Sequence, residues 1–241
     1  VVLVENQKTH EKYSAKIISK NDIKKRNMIK SINNEIKVLK MVSHPNIIKL
    51  EETFEIKNDQ GEEFIVLIME YCENGELLSY AVNEGFKNDK MMKKIIIGFL
   101  EAVKYLHHKG ISHGDIKSEN ILLGKEMSPK LCDFGYCRMS LIAGDDSKNG
   151  TLYYAAPELF SKGEFNTLKT DIYAIGITLY SLSELQFPFK DGDQQFIVNQ
   201  IVKGHLSIDR KLNKQLRQIV ERCTEMNPVH RPNITDILKA D

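Results

Sequence analysis

Apolar residues follow two different rhythms along this chain. Before about residue 70 they come in short β-branched runs, "VVLVEN" at the start and "KYSAKII" from Lys12, separated by the polar stretch "QKTHE". Two such runs around a polar turn predict a β-hairpin. "SINNEIKVLKMV" then places Ile32, Ile36, Leu39 and Met41 or Val42 at helical spacing. "HPNIIKLEETFEIKN" and "EEFIVLIMEY" read as two more strands on either side of "NDQG". After "YCENGE" the period lengthens. "MMKKIIIGFLEAVKYLHHKG" puts Ile96, Phe99, Leu100, Val103 and Leu106 or His107 on one face, and Gly110 follows as a C-terminal stop. Short strands are expected at "NILLG" and "PKLCDF", and helices at "TLKTDIYAIGITLYSLSEL", "QQFIVNQIVKG" and "KQLRQIVERCTEM". The pattern predicts an α+β chain in two lobes, a small antiparallel sheet with one helix and a larger, mainly helical unit. They join near residues 70–74, and ligand sites favour such crevices.

Composition narrows the function without naming it. The 241 residues carry 34 basic and 33 acidic side chains, a net charge of +1. This balance gives no support for nucleic-acid or membrane-surface binding. Apolar runs such as residues 65–69 and 95–97 are too short to span a bilayer. Cys72, Cys132, Cys137 and Cys223 lack metal-ligand spacing and read as free thiols in a reducing, cytoplasmic or otherwise intracellular setting. Val1 opens directly into an apolar run and Asp241 closes a helix-like stretch without a stop, so the chain is expected to be part of a longer protein.

The chemistry lies in four short pieces that occur in one order: "YSAK" (13–16), "HGDIKSEN" (113–120), "DFG" (133–135) and "APE" (156–158). Each alone is a weak signal. Together, with the intervening lengths of helix and strand, they resemble the protein kinase family over essentially the whole chain. The resemblance implies a kinase domain over 1–241, with a sheet lobe at 1–70, a hinge at 71–75 and a helical lobe at 76–241. It implies ATP as substrate and Mg²⁺ as cofactor.

By the same resemblance Lys16 holds the α- and β-phosphates and Glu35 is its ion-pair partner. Asp115 accepts or orients the proton of the target hydroxyl, Lys117 touches the moving phosphate, and Thr151 contacts both. Asn120 and Asp133 are the implied magnesium ligands, oxygen donors of the kind Mg²⁺ prefers. Adenine is expected between Val1 and Leu122, against the backbone of Glu70, Tyr71 and Cys72, with Met69 at the back and Glu76 near the ribose or a basic substrate residue. His113 and Phe134 are expected to pack in an apolar column with Leu39 and Leu50. Glu158 and Arg231 form a buried ion pair, and Asp171 braces the catalytic loop. "DIKSEN" and "GTLYYAAPE" are the serine/threonine dialect of the family, and Glu76 with Glu119 implies basic residues N-terminal to the target, as in the calcium/calmodulin-dependent-like branch. The partners implied are proteins bearing Ser or Thr.

Three features depart from the family. Spacing back from Lys16 places Val1 just past the glycine-rich phosphate loop, so the chain as given is expected to bind ATP weakly and turn over poorly. Ser14 stands where alanine is usual, and a hydroxyl facing adenine needs a partner or costs about 1–3 kcal/mol. Gly114 stands where arginine usually precedes Asp115. Without that charge the activation segment, with Ser140, Ser147 and the solvated pair Asp145–Asp146, is expected to need no phosphorylation. These departures keep a second reading open, a pseudokinase that uses the fold as a nucleotide- or partner-binding scaffold. A small-molecule kinase of related fold would not be expected to keep "APE" and Arg231. Cys72 and Cys132 read as small apolar residues beside the nucleotide, with covalent labelling as the alternative.

Overall fold

The computed structural model describes residues 1–84, 89–144, 150–209 and 212–239, without the side chains at 84 and 89. The first unit comprises β1 (Val2–Glu5), β2 (Lys12–Ser19), α1 (Lys20–Lys25), α2 (Ile29–Met41), β3 (Leu50–Lys57) and β4 (Glu63–Glu70). The strands form one antiparallel sheet in the order β1-β2-β4-β3, with Leu3 opposite Ser14 and Ser14 opposite Met69. Alternation therefore puts Ser14 and Lys16 on one face of β2 and Ala15 on the other. α2 buries Ile32, Glu35, Val38 and Leu39, a stripe at helical spacing interrupted by one carboxylate.

The second unit is mainly helical, as the lengthened period predicts. It comprises α3 (Leu77–Glu84), α4 (Asp89–His108), the short pairs β5 (Ile121–Leu123) with β6 (Pro129–Leu131) and β7 (Ile142–Ala143) with β8 (Phe165–Asn166), then α5 (Thr167–Glu184), α6 (Gln194–Lys203), α7 (Lys214–Cys223) and α8 (Ile234–Leu238). The resulting fold is two-lobed α+β. α5 is buried without interruption from Thr170 to Leu182, so it is the central helix of this lobe. Asn166 starts it by accepting from the Leu168 and Lys169 amides. At Gly176 a β-carbon would come within 2.8 Å of Cys223 and Thr224, which explains how α7 approaches α5 so closely.

Several expected elements shift. On α4 the core face is carried by Ile95, Phe99, Leu100, Val103 and Leu106, while Ile96 is only partly buried, because the helix turns its stripe one residue from the expected face. "HPNII" precedes β3 as a loop and fastens the two lobes: the Ile48 amide donates to the Leu131 carbonyl at 2.9 Å. α1 and α3 have no counterpart among the expected elements. Between β4 and α3 the chain turns at residues 73–74 and is tied to β5: the Asn74 amide donates to Leu123 O at 2.9 Å, and Glu76 bridges Leu122.

Candidate active site

The floor of the crevice begins with a buried carboxylate on α5. Asp171 accepts from the His113 amide at 2.8 Å and the Gly114 amide at 2.9 Å, and His107 Nε2 lies 2.9 Å from the same group. This holds the 113–115 backbone in place. The His113 ring packs edge-on to Phe134 at 5.1 Å and its Nε2 sits 3.0 Å from Cys132 O, and both rings are fully buried. The expected His113–Phe134 contact is present.

Asp115 then projects into a net of donors. Its Oδ1 accepts from the Thr151 amide at 3.0 Å and the Thr151 hydroxyl at 2.8 Å; its Oδ2 accepts from Lys117 Nζ at 2.7 Å and Asn120 Nδ2 at 3.1 Å. Lys117 also donates to Thr151 Oγ1 at 2.8 Å. Burial pushes the Asp115 carboxyl up, but the Lys117 and Thr151 hydrogen bonds and the Lys117 charge outweigh it and hold its pKa below the ordinary carboxylate value. The sequence spreads these residues from 115 to 151, and the fold brings them together.

Gly114 is required by its backbone. Its φ is +79°, and a β-carbon there would lie 2.5 Å from Tyr136 O and 3.2 Å from Arg138 Nη1. The expectation that the glycine leaves this place without charge is corrected: the Arg138 guanidinium reaches it from the other strand of a two-residue bridge, Ser112 with Arg138. Burial lowers the Arg138 pKa while the Asp171 charge raises it, and the guanidinium also lies over the Phe165 ring at 5.6 Å.

The roof is supplied by the sheet lobe. Lys16 Nζ donates to both Glu35 oxygens, at 2.7 and 2.8 Å. Burial raises the Glu35 pKa despite the opposing Lys16 charge. Asp133, at φ +64°, contributes to raising it. The Ser14 hydroxyl, whose partner the sequence leaves open, donates to Glu70 O at 3.0 Å. Glu70 is itself fixed by the Lys49 amide and Lys130, each at 2.7 Å. Met69 is buried behind this strand, and Leu122 and Cys72 are partly buried on the lower side. Burial pushes the Cys72 thiol up to about 12 and Cys132 higher still, so both stay protonated and disfavour covalent labelling. Val1 stands ahead of β1 and is 83% exposed.

The segment after Thr151 is anchored from below. Arg231, 2% exposed, makes a bidentate pair with Glu158 at 2.6 and 2.8 Å. Glu119 accepts from Tyr154 OH and Ser118 Oγ, each at 2.9 Å, so one oxygen of this carboxylate is engaged. Ser140 donates to Ile142 O at 2.6 Å. Ser147, Asp145 and Asp146 lie outside the described residues.

Residues 1–241 match the protein kinase domain family. This chain is a protein kinase domain. It is 31% identical over 231 residues to the serine/threonine-protein kinase kin-29 of Caenorhabditis elegans, covering 95% of this chain and 27% of that one. It is 32% identical over 243 residues to 3-phosphoinositide-dependent protein kinase B of Dictyostelium discoideum, covering 98% and 26%. Against CBL-interacting protein kinase 9 of Oryza sativa it is 27% identical over 248 residues, covering 100% and 53%. The chain thus spans about a quarter to a half of the length of these relatives. The likeness to the rice kinase fits the calcium/calmodulin-dependent-like branch.

Sequence reasoning missed three residues of this kinase domain. Ser31 and Asn34 tie α2 to the segment after Asp133: Asn34 Nδ2 donates to Cys137 O at 2.8 Å, and Ser31 Oγ to Gly135 O at 3.3 Å. Arg138 is the third. Their signal is faint, because each acts through a contact made about a hundred residues away or across a backbone bridge. The donor set fits a magnesium ion. Asn120 commits its amide nitrogen to Asp115 O at 2.8 Å, which leaves its amide oxygen as a hard donor of the same kind as the Asp133 carboxylate. Among the described residues no cluster of three His, Cys, Asp or Glu forms a protein-only metal cage. No helix among them is long and apolar enough to cross a membrane.

Proposed function

We propose that this domain transfers the γ-phosphate of Mg-ATP to serine and threonine hydroxyls of proteins, in an intracellular setting. It prefers basic residues before the target and needs no activation-segment phosphate. The nucleotide sits between residues 1–70 and 76–241, across a hinge at 71–75. Val1, Ser14, Met69 and Leu122 flank the base, Glu70 and Cys72 offer backbone groups, and Glu76 lies at the outer end. Lys16, fixed by Glu35, holds phosphate oxygens. Asn120 and Asp133 hold Mg²⁺, which neutralises charge on the phosphates.

The observation that carries this reading is the Asp115–Lys117–Thr151 net. A carboxylate with a lowered pKa is a weak base, so Asp115 orients the hydroxyl at the phosphorus, and Lys117 stabilises the charge on the transferring group. Thr151 fixes both from the activation segment. Thr151 is tied to Asp115 and Lys117, and the Asp171 charge acts on Arg138, which supports phosphate independence. Glu76 and Glu119 support the basic preference.

The test is transfer from Mg-ATP to an arginine-containing serine peptide by the full-length protein and by its Asp115→Asn variant. Transfer by the first and near loss in the second is the expected result. The pseudokinase reading draws on one observation, the Ser14 hydroxyl already on the Glu70 carbonyl. Nucleotide binding with no transfer by either protein would favour it.

A further inference from the structure

α6 and the chain that follows it build a groove that the catalytic reading leaves unused. Its volume is about 440 Å³, within the range of ligand-sized sites. Lys190, Lys203 and His205 line it together with Phe196, Leu206 and Gln200. No acidic side chain is among its lining residues, and among the described residues none of the three basic groups makes an ion pair.

The groove is built rather than accidental. Gln200, 6% exposed, accepts from the Lys190 amide and donates to the Lys190 carbonyl, both at 2.9 Å, which fixes one rim to the helix. Gly204 ends α6 at φ +67°, and the His205 amide returns to Gln200 O at 2.9 Å, folding the other rim back. Phe196 stays 44% exposed, yet Gly192 runs so close that a β-carbon there would strike its ring, so the wall is held. A groove lined by basic side chains on a backbone tied at both rims, with an exposed aromatic wall, suits a ligand with carboxylates and an apolar anchor.

Placement suggests which ligand. α6 packs against the turn Pro157–Phe160, the anchored end of the segment that carries Thr151. We propose that this groove docks an acidic segment of the protein substrate through Lys190, Lys203 and His205, with an apolar side chain on Phe196 and Leu206. The proposal rests on the reading of the chain as a protein kinase. It gives the substrate two opposite ends: basic residues near the target hydroxyl, drawn by Glu76 and Glu119, and an acidic segment apart from them.

The experiment uses a fluorescein-labelled peptide of Glu and Leu, a Gln-for-Glu copy, the full-length protein, its Lys190→Glu/Lys203→Glu variant and a Lys8→Glu control on the far hairpin. Anisotropy should show salt-weakened binding of the acidic peptide, no binding of the Gln copy, and about tenfold weaker binding by the double variant but not by the control. Joined to a serine substrate peptide, the acidic tail should lower KM about fivefold at constant kcat. The double variant should lose this gain and still phosphorylate the tailless peptide at the parent rate. Absence of acidic-peptide binding, binding unchanged in the double variant, or binding of inorganic phosphate or anionic vesicles alone would overturn the proposal. Groove binding without transfer to either peptide would leave the docking site standing and remove the phosphotransferase reading instead.

Discussion

The floor and the roof of the crevice are made in different ways. On the floor, Asp115 is buried and meets four donors, and Asp171 holds the backbone beside it from the central helix. On the roof, Lys16 with Glu35, Ser14 with the Glu70 carbonyl, and Glu70 with Lys130 are separate contacts rather than one net. A buried polar net is stabilising only when every member is satisfied, so the floor tolerates few changes. On the roof each contact joins few groups, so a change there should disturb fewer neighbours.

The largest effect should come from breaking the floor at its centre. Asp115→Asn should lower transfer about 10²–10⁴-fold in a peptide phosphorylation assay, with nucleotide binding kept. Next is the anchor beneath it: Arg231→Ala empties a buried site and leaves the partly buried Glu158 without its partner, and should cost about 3–5 kcal/mol, read as a lowered denaturation midpoint. Gly114→Arg forces a side chain onto left-handed backbone against Tyr136 O and should cost about 1–3 kcal/mol, with transfer reduced. Adding Arg138→Ala should restore part of the transfer if the two cations compete for one place; no restoration would assign the loss to backbone alone.

The roof should answer more weakly. Ser14→Ala frees the Glu70 carbonyl for the base and should tighten ATP by less than about tenfold, measured by titration calorimetry. The smallest expected effect is on pH dependence. Because the Asp115 pKa is depressed in the fold, its stabilisation is present above the ordinary carboxylate pKa and is lost as pH falls through the lowered value. Acid unfolding of Asp115→Asn should therefore be flatter than that of the parent at the acid end; an unchanged profile would refute the assigned shift.

The same contrast explains what the sequence disclosed. Long periodic segments were legible, and the helices at Asp89–His108 and Thr167–Glu184 fall where apolar spacing puts them. α3 was not, since "ELLSYAVNE" follows a turn with too few residues to establish a period. The floor's chemical residues were legible because "HGDIKSEN" is contiguous and Thr151 lies beside a recognisable "APE". Arg138, Ser31 and Asn34 were not, because their value lies in backbone oxygens and in a place that Gly114 leaves, which a linear sequence does not display. The single-letter change at Gly114 was legible as a lost charge but not as a left-handed turn with another guanidinium beside it.

The central claim is that the catalytic floor is held by the chain's own contacts and needs no phosphate on the activation segment. The direct measurement is the rate of transfer from Mg-ATP to a serine peptide by full-length protein before and after exhaustive phosphatase treatment, with dephosphorylation verified by intact mass. The account predicts rates equal within about twofold, a difference of under 0.5 kcal/mol in the barrier. A fall of about tenfold or more on dephosphorylation, equivalent to about 1.4 kcal/mol, would contradict it.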